Sequence, residues 1–275
     1  MSKAKQPDPP AKRFDKLVHE ICDSGGRERW RIFSDFCEVA ALSFANAFPG
    51  KGLDPDYDRR EQRYLEIAKA CGAEVMKGFV ALLGIVTEAL EDLEPRDILG
   101  DAFQRLELSS HWHGQFFTPM EVSRMMAAIT LGGDGGMKRI IDEHGFATLM
   151  EPACGAGSMV IACASEFRKA GFNPQQQLHV TAQDVDSTAV HMAYIQFTLL
   201  GLPAVVIEGN SLTNERRDVF RTFQHWTGMW DGKLRRRRAA EASEPAAVAA
   251  APAPQADVAQ AEQATEIRAG QLTFF

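Results

Sequence analysis

Glu151-Pro152-Ala153-Cys154-Gly155-Ala156-Gly157-Ser158 decides how the chain reads. It follows a short apolar run, 147–150, and precedes 159–169, where apolar residues recur at helical spacing. A strand that ends in a tight Gly-rich turn and opens into a helix is a nucleotide-binding device. Glycine lets the backbone approach a ligand, and the first turn of the helix offers N–H groups without intrahelical partners. A Gly-x-Gly turn is also an ordinary strand–helix connection, so its surroundings must carry the reading further.

Downstream, Asn173-Pro174 turns the chain and 178–183 has the composition of a second strand. A helix is expected over 187–200, stopped by Gly201 and Pro203, and a third strand over 204–207. This alternation predicts a parallel sheet with crossover helices. Asp184 ends the second strand, where an acid can accept both hydroxyls of a ribose. Asp186 is better taken as the N-cap of the next helix. Asn210 ends the third strand; it either sets a polar side chain against an adenine edge or simply forms the turn.

Upstream, His111-Trp112-His113-Gly114-Gln115-Phe116-Phe117-Thr118-Pro119 is an aromatic loop. Thr118 is expected as N-cap and Pro119 as first residue of a helix over 120–129. A loop at 132–136 and a short helix at 138–144 lead to the first strand. Before the loop the pattern is helical from Lys12 to about Leu108, broken at 49–58 by Pro49, Gly50, Gly52 and Pro55. The expected fold class is α/β, a truncated doubly wound (Rossmann-like) domain preceded by a helical N-terminal region. The expected divisions are a disordered lead (1–11), the helical region (12–110), the cofactor domain (111–234), and a basic run with an Ala/Pro-rich tail (235–275).

The two long motifs together, Gly114-Gln115-Phe116-Phe117-Thr118-Pro119 and Glu151 to Ser158, resemble the N6-adenine DNA methylases, in particular the modification subunits of type I restriction–modification systems. The resemblance covers about residues 15–215. It implies S-adenosylmethionine as cofactor, DNA as substrate, and a second methyltransferase or specificity subunit as partner. Carried over motif by motif, it places Phe117, Thr118 and Pro119, together with Glu151, Ala153, Cys154, Gly155 and Gly157, around the methionine part of the cofactor. Asp184 then holds the ribose and Asn210 reads the adenine.

That family presents the flipped target base to an Asn/Asp-Pro-Pro-Tyr/Phe loop after a fourth strand. No such string follows Asn210, where regular patterning fades, so no catalytic residue is assigned. Asp54-Pro55-Asp56-Tyr57 lacks the second proline, follows no strand and reads as a turn. Two readings stand open. One is a DNA methyltransferase whose base-holding loop comes from a partner or has another form; the other is a catalytically silent methyltransferase-like binding protein. The first strand is expected at an exposed edge, covered by the aromatic stretch 220–230 or by a partner. Phe220, Phe223, Trp226 and Trp230 suit a base-stacking surface, or more simply a helix packed on the core.

A formal charge of −7 gives no basic face for nucleic acid, so DNA contacts would use local patches such as Arg235–Arg238. The five cysteines form no CxxC pair, His111 and His113 lack further ligands at metal spacing, and no metal is expected. Cys154 has no His partner and fills a crowded turn rather than acting as nucleophile. A polar, Pro-containing start and the lack of a membrane-length apolar run point to a cytoplasmic protein and no membrane. Gln271-Leu272-Thr273-Phe274-Phe275 resembles the bacterial sliding-clamp-binding pentapeptide, with Gln271, Leu272, Phe274 and Phe275 as its anchors. The resemblance of these last five residues to a bacterial motif implies a bacterial, phage- or plasmid-associated protein.

Overall fold

The computed structural model describes residues 8–91, 94–108, 118–131 and 136–243. Phe117 and the terminal peptide Gln271, Leu272, Phe274 and Phe275 lie outside the described residues, as do His111 and His113. The chain divides into two units, Met1–Lys233 and Leu234–Phe275.

Five helices open the first unit: α1 (Pro10–Gly25), α2 (Arg29–Ala47), α3 (Tyr57–Cys71), α4 (Ala73–Leu90) and α5 (Ile98–Arg105). Helix α1 starts two residues before Lys12, because Pro10 suits a first helical turn. Its apolar stripe buries Phe14, Val18 and Ile21. Phe14, Phe33, Phe36, Phe79 and Phe103 meet edge to face, with ring centroids 5.9–6.3 Å apart. Asp54-Pro55-Asp56-Tyr57 is a turn, as expected: Asp54 Oδ1 accepts the Asp56 N–H at 3.0 Å just before α3 begins.

Helix α6 (Met120–Leu131) and α7 (Gly136–His144) precede strand β1 (Ala147–Glu151). The first bonds of α6 run from Val122 and Ser123 N–H to the Pro119 carbonyl. The cap therefore sits at Pro119, one residue later than the Thr118 reading. The chain continues through α8 (Ser158–Lys169), α9 (Pro174–Gln177), β2 (Leu178–Asp184), α10 (Ser187–Leu199) and β3 (Ala204–Glu208). Helix α9 was expected as a turn; Asn173 caps it, its side chain accepting from Gln175 N–H at 3.0 Å.

The strands lie in the order β1-β2-β3-β4, the first three parallel. Strand β4 (Asp218–Arg221) was not expected and runs antiparallel to β3. The aromatic segment after Asn210 thus joins the sheet beside β3, at the edge opposite β1. Strand β4 thus does not cover the β1 edge, although Trp230 packs on Phe146, just before β1. Among the described residues β1 pairs with β2 alone, and Thr148 and Met150 are exposed.

The pleat sets Leu178, Val180 and Ala182 on one sheet face with Val206 and Phe220, and His179 and Gln183 on the other. Both sets are buried on β2, the mark of a covered parallel strand. The first face meets α10, where His191 and Tyr194 pack on Phe220. On the second, His179 meets His225, on α11 (Phe223–Thr227), and Trp230, which begins α12 (Trp230–Ser243). Phe220 and Trp230 are buried and belong to the core, whereas Trp226 is half-buried and Phe223 exposed. Helix α10 buries every residue from Thr188 to Phe197 because it lies between the sheet and α2.

In the second unit, residues 234–243 continue α12 and carry Arg235–Arg238; Arg237 pairs with Glu241 one turn on. Among the described residues no single helix is long and apolar enough to cross a membrane.

One buried cation docks α3 on β4. Arg60, 3% exposed, sends Nη1 to Asp54 Oδ2 at 2.7 Å and Nη2 to the Val219 carbonyl at 2.8 Å, with its guanidinium over the Phe220 ring. Removing one partner of a buried charged network leaves the others uncompensated, so Arg60→Ala should cost about 3–5 kcal/mol in urea unfolding. Arg60→Lys should recover only part, because an ammonium has no fork to bridge a carboxylate and a carbonyl.

Candidate functional site

The parallel strands β1, β2 and β3 end side by side, and backbone bonds tie their C-terminal loops together. Cys154 N–H donates to the Gln183 carbonyl at 2.9 Å, and Gly209 N–H to the Asp184 carbonyl at 2.8 Å. Gln183 Nε2 reaches the Glu215 carbonyl at 3.1 Å. Ligands of open α/β sheets bind outside such carboxyl ends.

Asp184 is the centre of this arrangement. Its Oδ2 accepts the Gly155 N–H at 2.8 Å and its Oδ1 the Asp186 N–H at 3.0 Å. The carboxylate is held rigidly, and each oxygen keeps acceptor capacity for a further donor. Asp186 caps α10 through Ala189 N–H at 2.8 Å, as its position suggested.

The Gly-rich turn needs its glycines. Gly157 has φ 101° and sits against α10, where a Cβ would fall 2.6 Å from the Phe197 ring. Gly209, φ 156°, has no room either: a Cβ would meet the Glu215 carbonyl oxygen at 2.0 Å. The first ring of α8 closes from Ile161 N–H onto the Gly157 carbonyl, so the N–H groups of Ser158 to Val160 precede it. Ser123 on α6 donates to the Ser158 hydroxyl at 3.2 Å, which anchors α6 to this helix start. Thr118 and Pro119 lie exposed at the beginning of α6.

The site is acidic. Glu151 turns back on its own loop, Oε1 facing Ala153 N–H at 3.3 Å. Burial raises its pKa, and Asp184 raises it further. Burial likewise pushes Asp186 up to about 6, with Asp184 adding to the shift. Burial also drives the Cys154 thiol well above its usual range, so it is not a thiolate nucleophile. Asn210 behaves as a turn former: its Oδ1 accepts Leu212 N–H at 2.9 Å, which leaves its NH2 as the group for any other contact. Glu151, Ala153, Cys154, Gly155, Gly157, Asp184 and Asn210 are thus brought to one end of the sheet. Among the described residues no three His, Cys, Asp or Glu side chains converge as metal ligands.

Two residues here were not singled out from the sequence. Gln196, fully buried on α10, donates to the Ala156 carbonyl in the Gly-rich turn at 2.8 Å and to Asp97 Oδ1 at 2.9 Å. Asp97 caps α5 through Gly100 N–H at 2.7 Å. A glutamine, the one amide side chain in α10, was the available clue.

Residues 94–244, more than half of the chain, match the family described as N-6 DNA Methylase. Among solved structures, one described as a class I S-adenosylmethionine-dependent methyltransferase from Listeria monocytogenes is 13% identical, with a TM-score of 0.41 over 76% of this chain and 56% of its own. A type I restriction-modification system methyltransferase subunit from Streptococcus thermophilus is 14% identical, with a TM-score of 0.36 over 74% and 59%. The chain spans a little over half the length of each.

Burial raises the Asp97 pKa to about 6, with the bonds from Gln196 and Gly100 opposing the shift. An acid whose folded pKa lies above its unfolded value lends stability at low pH and loses it as pH rises through the folded value. Relative to Asp97→Asn, the wild type should therefore gain on the order of 1 kcal/mol between pH 7 and pH 5. Paired urea titrations at the two pH values check this.

Proposed function

Since the chain belongs to the N-6 DNA methylase family, we propose that it binds S-adenosylmethionine at the ends of β1, β2 and β3 and serves methyl transfer to the N6 amine of adenine in DNA. The observation that carries this reading is the Asp184 carboxylate bonded to the Gly155 N–H, which joins the Gly-rich turn to the acid of the second strand.

The residues present suit such a ligand. S-adenosylmethionine would supply an electrophilic methyl group on a cationic sulfur, together with an ammonium. Asp184 keeps an acceptor position on each oxygen for the ribose hydroxyls. Glu151, Asp184 and Asp186 lie together at the strand ends, and as carboxylates they favour a cationic guest over a neutral one. Gly155 and Gly157 allow close backbone approach, and the start of α8 offers N–H groups to a carboxylate. Asn210 can turn its amide toward the adenine edge, while Phe117, Thr118 and Pro119 would close over the methionine part.

For the base-holding half we propose a second polypeptide, a methyltransferase or specificity subunit. No Asn/Asp-Pro-Pro loop follows Asn210, and among the described residues no strand pairs with β1 on its outer side. An outer strand there would complete a crevice beside the Gly-rich turn, and a partner able to add one fits that edge.

The same missing loop favours a second reading, a methyltransferase-like protein that binds cofactor and DNA without chemistry and is recruited to the sliding clamp through Gln271, Leu272, Phe274 and Phe275. In calorimetry, wild type should bind S-adenosylmethionine, and Asp184→Ala should bind about ten- to a hundredfold more weakly, as loss of a charged acceptor predicts. Transfer of labelled methyl groups to DNA should occur when a partner subunit is added. Cofactor binding without transfer, alone or with partners, would leave the second reading standing.

A further inference from the structure

Gln196 lies at the centre of a buried polar relay. It is the one glutamine in α10, within the fully covered run from Thr188 to Phe197. All four of its hydrogen-bonding positions are used. Nε2 donates to the Ala156 carbonyl at 2.8 Å and to Asp97 Oδ1 at 2.9 Å. Oε1 accepts from Ile98 N–H at 2.8 Å and Leu99 N–H at 3.3 Å. An unpaired amide in such a place would cost the whole desolvation penalty, so a fully used one marks a specified geometry.

Capping α5 does not by itself require Gln196, because Asp97 already caps it through Gly100. What Gln196 adds is a hold on the turn. The Ala156 carbonyl and the Gly157 N–H belong to one peptide plane. Gln196 grips the carbonyl end, and the Cys154 carbonyl accepts from the N–H end at 2.8 Å. That plane sits between Gly155 and Gly157, both at positive φ, where the backbone would otherwise be freest. The next residue, Phe197, packs where a Cβ on Gly157 would be. Helix α10 therefore fixes the turn by one polar and one apolar contact.

We propose that Gln196, itself set by Asp97, is a positioning residue that holds the Gly-rich turn in its ligand-accepting shape and ties that shape to the seating of α5. This rests on the cofactor reading above. The turn faces the methionine part of the proposed cofactor, whereas Asp184 and Asn210 face its nucleoside. A positioning role therefore separates two ligands that a general loss of stability would not.

Calorimetry with S-adenosylmethionine and with adenosine, on folded proteins checked by circular dichroism, tests it. In Gln196→Met, affinity for S-adenosylmethionine should fall about tenfold, the equivalent of one buried hydrogen bond, while adenosine binding stays within about twofold. Asp97→Asn, which keeps an acceptor for Gln196, should bind S-adenosylmethionine like wild type, and Asp97→Ala should not. Unchanged affinity in a folded Gln196→Met, or an equal loss for both ligands, overturns the positioning role. If Gln196→Met does not fold, the Asp97 pair decides: equal affinity in Asn and Ala variants overturns it. Wild type that binds neither ligand overturns the cofactor reading itself, and this role with it.

Discussion

The burial of α10 on every side is the constraint on which the molecule depends. A helix with no solvent face must find cover all round, and it finds the sheet on one side and the N-terminal helices on the other. One hydrophobic core therefore runs from Phe14 through Phe197 to Phe220. The helical region is thereby the second wall of the sheet's central crossover. The polar exceptions on α10 follow from this position. Gln196 reaches both walls, Tyr194 donates to the Arg221 carbonyl, and Thr188 meets Ser34 on α2.

The central βαβαβ stretch was legible because its determinants are local. Strands β1 to β3 are apolar runs closed by Gly, Pro or Asp, helix α8 opens from the Gly-rich turn, and helix α10 starts at a capping residue a reader can see. Asp186 shows how far this goes: its spacing named it a cap, and its carboxylate caps. Strand β4 was not legible for the opposite reason. Asp218-Val219-Phe220-Arg221 is short and flanked by charge, and it becomes a strand through its ladder with β3 and the grip of Arg60 from residues 158 and more positions away. Such long-range contacts leave no periodic mark.

The site divides in the same way. Gly155, Gly157 and Asp184 stood out because glycine at a strand–helix turn and acid at a strand end are local patterns with a known chemical use. Gln196 and Asp97 stayed hidden because their importance lies in pairing across 99 positions of chain. Asn210 sits between: its turn role is visible in the bond to Leu212, while its proposed role toward adenine depends on which way the remaining amide points.

Among the described residues β1 has no strand on its outer side, and this also matters before the molecule is finished. Backbone donors and acceptors along a strand edge pair with whatever extended segment arrives first, and charge, proline or a bulge are the usual guards. Ala147 to Glu151 has none of these until its last residue, and Met150 offers an apolar side chain beside the edge. An edge left so is exposed to self-association, and the partner strand proposed above would remove that exposure by taking the place. Yield of dispersed protein would then follow the supply of that strand, and co-synthesis with it would act as a form of chaperoning.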